Sequence, residues 1–134
     1  MRTSVIATLA AVTCLMSVHA TARAAETLAA GSLFGSLAQT RAVCVFYNAG
    51  TTDVTLAQFQ ITDQFGTPQT LVINQCGTSP STLTPRDTCG IAADAVGNRS
   101  YSCRVRVVPD KTNVRAVLDL RDTNQNVLSN VELR

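Results

Sequence analysis

The chain has 134 residues, with 11 basic and 9 acidic side chains, one histidine and no tryptophan. That length corresponds to one domain. Two of the basic residues, Arg2 and Arg23, belong to a leader-like N-terminus, and nine charges of each sign remain beyond it, a balance that disfavours a nucleic-acid-binding surface.

Residues 1–24 read as a secretory signal. Arg2 supplies a short positive region, residues 5–18 are apolar, and Ala22-Arg23-Ala24 is a small-x-small cleavage pattern. The apolar run is too short to span a bilayer, and no later run approaches the ~20 residues a span needs. Cleavage is expected after Ala24, with Ala20 as the second choice. Cys14 follows Ala11-Val12-Thr13 and so lacks the Leu-like residue of a lipidation site. Cleavage removes His19, the sole histidine, and leaves 110 residues in the periplasm or the medium, with no membrane span.

Residues 25–40 form a lead-in, with 28–37 as a possible first strand, and residues 41–134 carry the domain proper. Residues 41–48 are the first clear strand, ending at the turn Asn48-Ala49-Gly50. Residues 54–62 are the next. Their apolar set moves from Val54 and Leu56 to Phe59 and Ile61, which calls for a bulge near Ala57-Gln58 or burial of both faces there. Phe65-Gly66-Thr67-Pro68 turns the chain into a short strand over 70–74. A loop rich in Thr, Ser and Pro follows, and residues 89–93 make another strand.

After a turn over 95–100, residues 101–108 alternate. Tyr101, Cys103, Val105 and Val107 face one way; Ser102, Arg104 and Arg106 face the other. Beyond the loop at 109–113, Val114, Ala116, Leu118 and Leu120 alternate against Arg115, Val117, Asp119 and Arg121. A hairpin turn at 122–126 leads to Val127, Ser129, Val131 and Leu133, expected on the inner face. Period-2 patterning with a turn about every ten residues predicts an all-β, antiparallel, immunoglobulin-like sandwich of about seven to eight strands.

Beyond the leader the cysteines are Cys44, Cys76, Cys89 and Cys103. An even number in an exported chain reads as two disulfides. Cys76 and Cys89 flank one turn-rich loop and are expected to pair, which leaves Cys44 with Cys103. The chain-entropy model assigns roughly 3 kcal/mol to the short loop and roughly 4 kcal/mol to the long one. No Cys-x-x-Cys pair is present for zinc or redox chemistry, and without histidine a cysteine nucleophile lacks its usual base.

Leu83-Thr84-Pro85-Arg86-Asp87-Thr88-Cys89 resembles the Leu-x-Pro-Gly-x-x-Cys segment of exported bacterial immunoglobulin-like modules, the ASH-type sandwiches among them. Asn48-Ala49-Gly50 resembles their early Asn-x-Gly turn, and Asn74-Gln75-Cys76-Gly77 their Asn-x-Cys-Gly segment. The similarity covers roughly residues 42–133, and Arg86 stands where the family has Gly. The resemblance implies that Leu83 anchors the loop in the core, and that the domain belongs to an envelope or surface protein without chemistry of its own.

Residue by residue, catalysis finds little support. A Ser-His-Asp arrangement is excluded, and Lys111, the only lysine, sits beside Asp110 in a loop. Asp119 with Asp122, and Asp53 with Asp63, are carboxylate pairs placed where such residues cap turns. No Asp-x-Asp run suggests a metal site, so neither metal nor cofactor is expected. Asn98-Arg99-Ser100 matches a glycosylation sequon, which rarely signifies anything in a bacterial protein, the source that the small-residue leader suggests.

If the last strands are neighbours, Arg104, Arg106, Arg115 and Arg121 project to one side, shared with Asp119 and Glu132. Such a face recognises an acidic protein or glycan through guanidinium forks, or is simply a solvated face of cross-strand ion pairs. The expected function is a non-catalytic structural or interaction module with an unknown protein or glycan partner. The alternatives are a glycan- or anion-binding protein using the arginine face, and a pilus-type subunit that exchanges a strand from 28–37 with its neighbour.

Overall fold

A computed structural model describes residues 24–134; the expected leader up to Arg23, with Cys14 and His19, lies outside the described residues. Nine strands form two antiparallel sheets packed as a β-sandwich, and no described residue is helical. The four-stranded sheet contains β1 (Glu26–Ala29), β7 (Tyr101–Val108), β3 (Val54–Asp63) and β5 (Ser81–Leu83), in that order. The five-stranded sheet runs β4 (Leu71–Asn74), β6 (Thr88–Asp94), β2 (Arg41–Asn48), β8 (Val114–Arg121) and β9 (Val127–Glu132).

Alternation builds the core directly. In β2 the even positions Ala42, Cys44, Phe46 and Asn48 are buried, while the odd positions face outward. In β7 the odd positions Tyr101, Cys103, Val105 and Val107 are buried. Phe46, Leu56, Ile61, Ile91, Leu118 and Leu120 meet between the sheets with no exposed surface. Each large apolar side chain buried there contributes about 1.5–3 kcal/mol. The β3–β7 register shifts between Leu56 and Gln58. Ala57 is therefore bulged out, which lets Leu56 and Phe59 both face the core despite their odd spacing.

Two disulfides cross-link the domain. Cys44–Cys103 joins β2 to β7 through the core, and Cys76–Cys89 closes the loop between β4 and β6. Inside that loop lies β5, a strand the Ser- and Pro-rich sequence concealed. It pairs with β3 from Val54–Leu83 to Leu56–Ser81. With β5 and β1 counted, the strands among the described residues number nine, against about seven to eight expected.

Two local expectations need correction. Residues 28–37 do not form one strand: pairing with β7 covers Glu26 to Ala29 and resumes only at the Leu33–Tyr101 bridge. Val127 is half exposed and off the inner face. The β8–β9 register shifts between Leu120–Ser129 and Arg121–Val127, and the extra residue turns the strand's start outward.

Candidate functional site

The structure separates the four arginines into two pairs on opposite outer faces. β7 lies in the four-stranded sheet and β8 in the five-stranded one, so Arg104 and Arg106 point away from Arg115 and Arg121. The expectation of one shared face rested on β7 and β8 being neighbours. They are instead packed face to face through the core.

On the five-stranded sheet the charges are largely neutralised. Arg121 pairs with Asp119 at 2.8 Å and Arg41 with Asp94 at 3.4 Å. Arg41 and Arg121 stand directly opposite each other across β2 and β8. Their Nε atoms are buried without hydrogen-bond partners among the described residues. Between the charges runs an apolar strip of Val43, Val45, Ala92 and Val117, with the Gln75 side chain lying over Gly90 beside Val45. Two shallow depressions, of about 350 and 240 Å³, sit over this strip. Arg115 is exposed at the end of the first, with its guanidinium donating to the Thr112 carbonyl at 2.9 Å.

The four-stranded sheet has the opposite character. Its outward positions are Thr27 and Ala29 on β1, Ser102, Arg104, Arg106 and Val108 on β7, Thr55, Gln58, Gln60 and Thr62 on β3, and Thr82 on β5. Arg106 stands opposite Gln58, and Arg104 opposite Gln60. Both arginines are exposed, and neither guanidinium makes an ion pair or hydrogen bond among the described residues. Not one of the nine acidic residues stands at an outward position of this sheet. Beside Arg104 a recess of about 130 Å³ is lined by Gln60, Thr62, Gly66 and Ser102. The Thr62 and Ser102 hydroxyls are hydrogen-bonded to each other there at 2.7 Å.

No family model matches the chain, and neither a characterised protein nor a solved structure matches it.

The remaining candidates resolve into structural roles. Asp63 is buried; its Oδ1 accepts the Phe65 and Thr67 amides at 3.0 Å, and its Oδ2 meets Arg99 at 3.2 Å. Asp122 caps its hairpin turn by accepting the Asn124 and Asn126 amides at 2.8 and 2.9 Å. Asp53 is exposed ahead of β3. Lys111 donates to the Thr27 carbonyl at 3.5 Å. Among the described residues no cluster of His, Cys, Asp and Glu is arranged to hold a metal, and no helix is long and apolar enough to cross a membrane.

Proposed function

We propose that the chain is an exported, non-catalytic, immunoglobulin-like interaction module of the bacterial envelope or extracellular space. The observation that carries this reading is the Cys44–Cys103 link between the two sheets together with Tyr101. Tyr101 precedes Cys103 by two residues at the start of β7, and its hydroxyl accepts the Val96 amide at 2.7 Å in the preceding corner. An inter-sheet disulfide with a tyrosine corner two residues ahead of its second cysteine is a hallmark of immunoglobulin domains. The β2–β6 and β3–β7 pairings agree with the corresponding strand pairs of that fold.

Export is supported by the leader and by two disulfides, which persist in oxidising compartments. The non-catalytic reading is supported by the residue types: beyond the leader there is no histidine, and every cysteine is in a disulfide. The test is fractionation of bacteria expressing the full chain. Recovery from the periplasm or medium, shortened to begin at Ala25, supports the reading. Retention in the cytoplasm with the leader intact contradicts it.

A second reading, a pilus-type subunit, draws on the seat of β1. This strand lies at a sheet edge, with Leu28 buried in the core. Ala29 exchanges both backbone hydrogen bonds with Arg134, at 3.1 and 3.2 Å. An N-terminal strand seated between β7 and the end of the same chain is where a neighbour's strand would enter in trans. Oligomer ladders on size-exclusion chromatography favour this reading; a single monomeric peak at every concentration opposes it.

A further inference from the structure

We propose that the outward face of the four-stranded sheet binds an anionic polysaccharide, with Arg104 and Arg106 taking its acidic groups and Gln58, Gln60 and Thr62 its hydroxyls. This rests on the interaction-module reading and names the partner class.

The charge pattern comes first. Beyond the leader the chain is neutral, yet this face holds two arginines and no carboxylate, while on the opposite face Arg41 and Arg121 are paired with Asp94 and Asp119 and Arg115 is held by the Thr112 carbonyl. An unpaired, exposed guanidinium presents five donors in a planar fork suited to a carboxylate or sulfate. Two of them at positions i and i+2 of one strand lie about 7 Å apart along it. That spacing suits a ligand with repeated acidic groups better than a single ion. The recess beside Arg104 offers one such group a partly enclosed seat among hydroxyl and amide side chains.

The rest of the face decides between kinds of polyanion. Protein interfaces are anchored by buried aromatic or large apolar residues. None of the exposed large hydrophobics, such as Tyr47, Phe65 and Ile73, stands at an outward strand position of this sheet. Single-stranded nucleic acid needs aromatic platforms, which are also missing. Anionic membrane surfaces are held by clusters of 4–8 basic residues. What remains, a sheet face of Thr, Ser and Gln around two arginines, matches hydroxyls interspersed with charge.

The test is calorimetric titration of the oxidised protein, leader removed, with polygalacturonate, dextran sulfate, neutral dextran and a poly-glutamate peptide. Saturable binding to at least one acidic polysaccharide is expected, weakening as salt is raised. Replacing both arginines (R104A/R106A) is expected to reduce affinity about tenfold or more, equal to ~1.4 kcal/mol or more. Arg115→Ala, on the other sheet, is expected to leave affinity within about twofold. Because Arg104 and Arg106 are exposed, the double variant is expected to keep its Tm. Should it not fold, Q58A/Q60A serves instead, with a loss of about threefold or more.

The proposal is overturned if neither acidic polysaccharide binds at low salt, or if R104A/R106A binds like the parent. Equal binding of neutral dextran or of poly-glutamate also overturns it. A thiol assay on the same sample separates the two levels. Absence of binding with no free thiol removes this inference alone, whereas free thiols remove the module reading beneath it.

Discussion

The Asn48 side-chain amide donates to the Leu83 carbonyl at 3.0 Å, joining the end of β2 to the end of β5. The same amide donates to the Thr52 carbonyl at 2.8 Å, and Oδ1 accepts the Gly50 amide at 2.9 Å. The Asn48 backbone completes the junction, donating to the Asp87 carbonyl and accepting the Arg86 amide. Two of the three segments on which the resemblance rested, Asn48-Ala49-Gly50 and Leu83 to Cys89, are thus in direct contact. Asn48 has no exposed surface, so each of these polar groups depends on a protein partner.

Asn48→Ala is expected to lower stability by about 3 kcal/mol, because buried carbonyls and an amide lose partners together. In a domain of this size that is a Tm drop on the order of 10–20 °C. Asn48→Asp is expected to cost at least as much at neutral pH, since a carboxylate donates nothing to the Leu83 and Thr52 carbonyls. Thermal melts of the two variants check this, and an Asp variant close to wild type contradicts the hydrogen-bond assignment.

Arg86 adopts a left-handed backbone conformation, with φ of 64°. It occupies the position where the resembling segment has Gly, and the turn closes through the Asp87 amide bonded to the Thr84 carbonyl at 3.1 Å. A left-handed residue other than Gly costs about 1–2 kcal/mol, against the extra freedom Gly has when unfolded. Arg86→Gly is therefore expected to raise stability by up to about 1 kcal/mol. Arg86→Val, β-branched at positive φ, is expected to lower it by about 1–2 kcal/mol. Urea midpoints report the difference, and equal midpoints for the two variants would refute the conformational argument.

The two disulfides close loops of different length, with sequence separations of 59 and 13 residues. Chain entropy assigns about 4 kcal/mol to Cys44–Cys103 and about 3 kcal/mol to Cys76–Cys89. Replacing Cys76 and Cys89 together by Ser is expected to leave a folded but weakened domain. Replacing Cys44 and Cys103 together by Ala is expected to cost more, through both the longer loop and the core position. Denaturant titration under non-reducing conditions ranks the two, and a larger loss for the short loop contradicts the ordering.

Asp122 carries a carboxyl group held below its usual range. The Asn126 side-chain amide is the largest cause, opposed by desolvation and assisted by the backbone amides of Asn126 and Asn124. A lowered folded-state value means that the turn's contribution is fully present above the unfolded value, about 3.9. It is lost as the pH falls through the lower folded one. Asn126→Ala is expected to move the Asp122 midpoint upward in a carboxyl NMR titration. A midpoint unmoved by that substitution would remove the side chain as the cause.

Much of the sandwich was legible because burial on one face of a strand leaves a period of two in the sequence. Residues 101–108 and 114–121 alternate cleanly and are β7 and β8. The break in alternation at Ala57 marks the bulge in β3. Ser81–Leu83 escaped notice because a three-residue edge strand between Pro80 and Pro85 has too few positions to show a period. Gln39 escaped for another reason. It is buried, its Oε1 accepts the Gly35 amide at 2.9 Å, and its amide donates to the Val96 and Arg99 carbonyls. Polar residues at such junctions carry no pattern of their own. Gly97 belongs to the same junction: a Cβ there would run into the Leu37 carbonyl oxygen.

The arginine face was misjudged because alternation tells which side of a strand a residue takes, and not which sheet the strand joins. Sequential strands usually neighbour one another, but β7 and β8 cross between sheets. The outward positions were right for each strand, and the pairing between strands was not. What survives is the half of the face on β7, joined by glutamines of β3 that drew no attention as ordinary polar residues.

Mass spectrometry of non-reduced peptides from native protein tests at once the two covalent links between and within the sheets and the export proposed for the sandwich. Expected are an N-terminus at Ala25, one cross-linked peptide joining Cys44 to Cys103, another joining Cys76 to Cys89, and no free sulfhydryl. Free thiols at these four positions, or Cys44 linked to Cys76 or Cys89, would contradict this pairing.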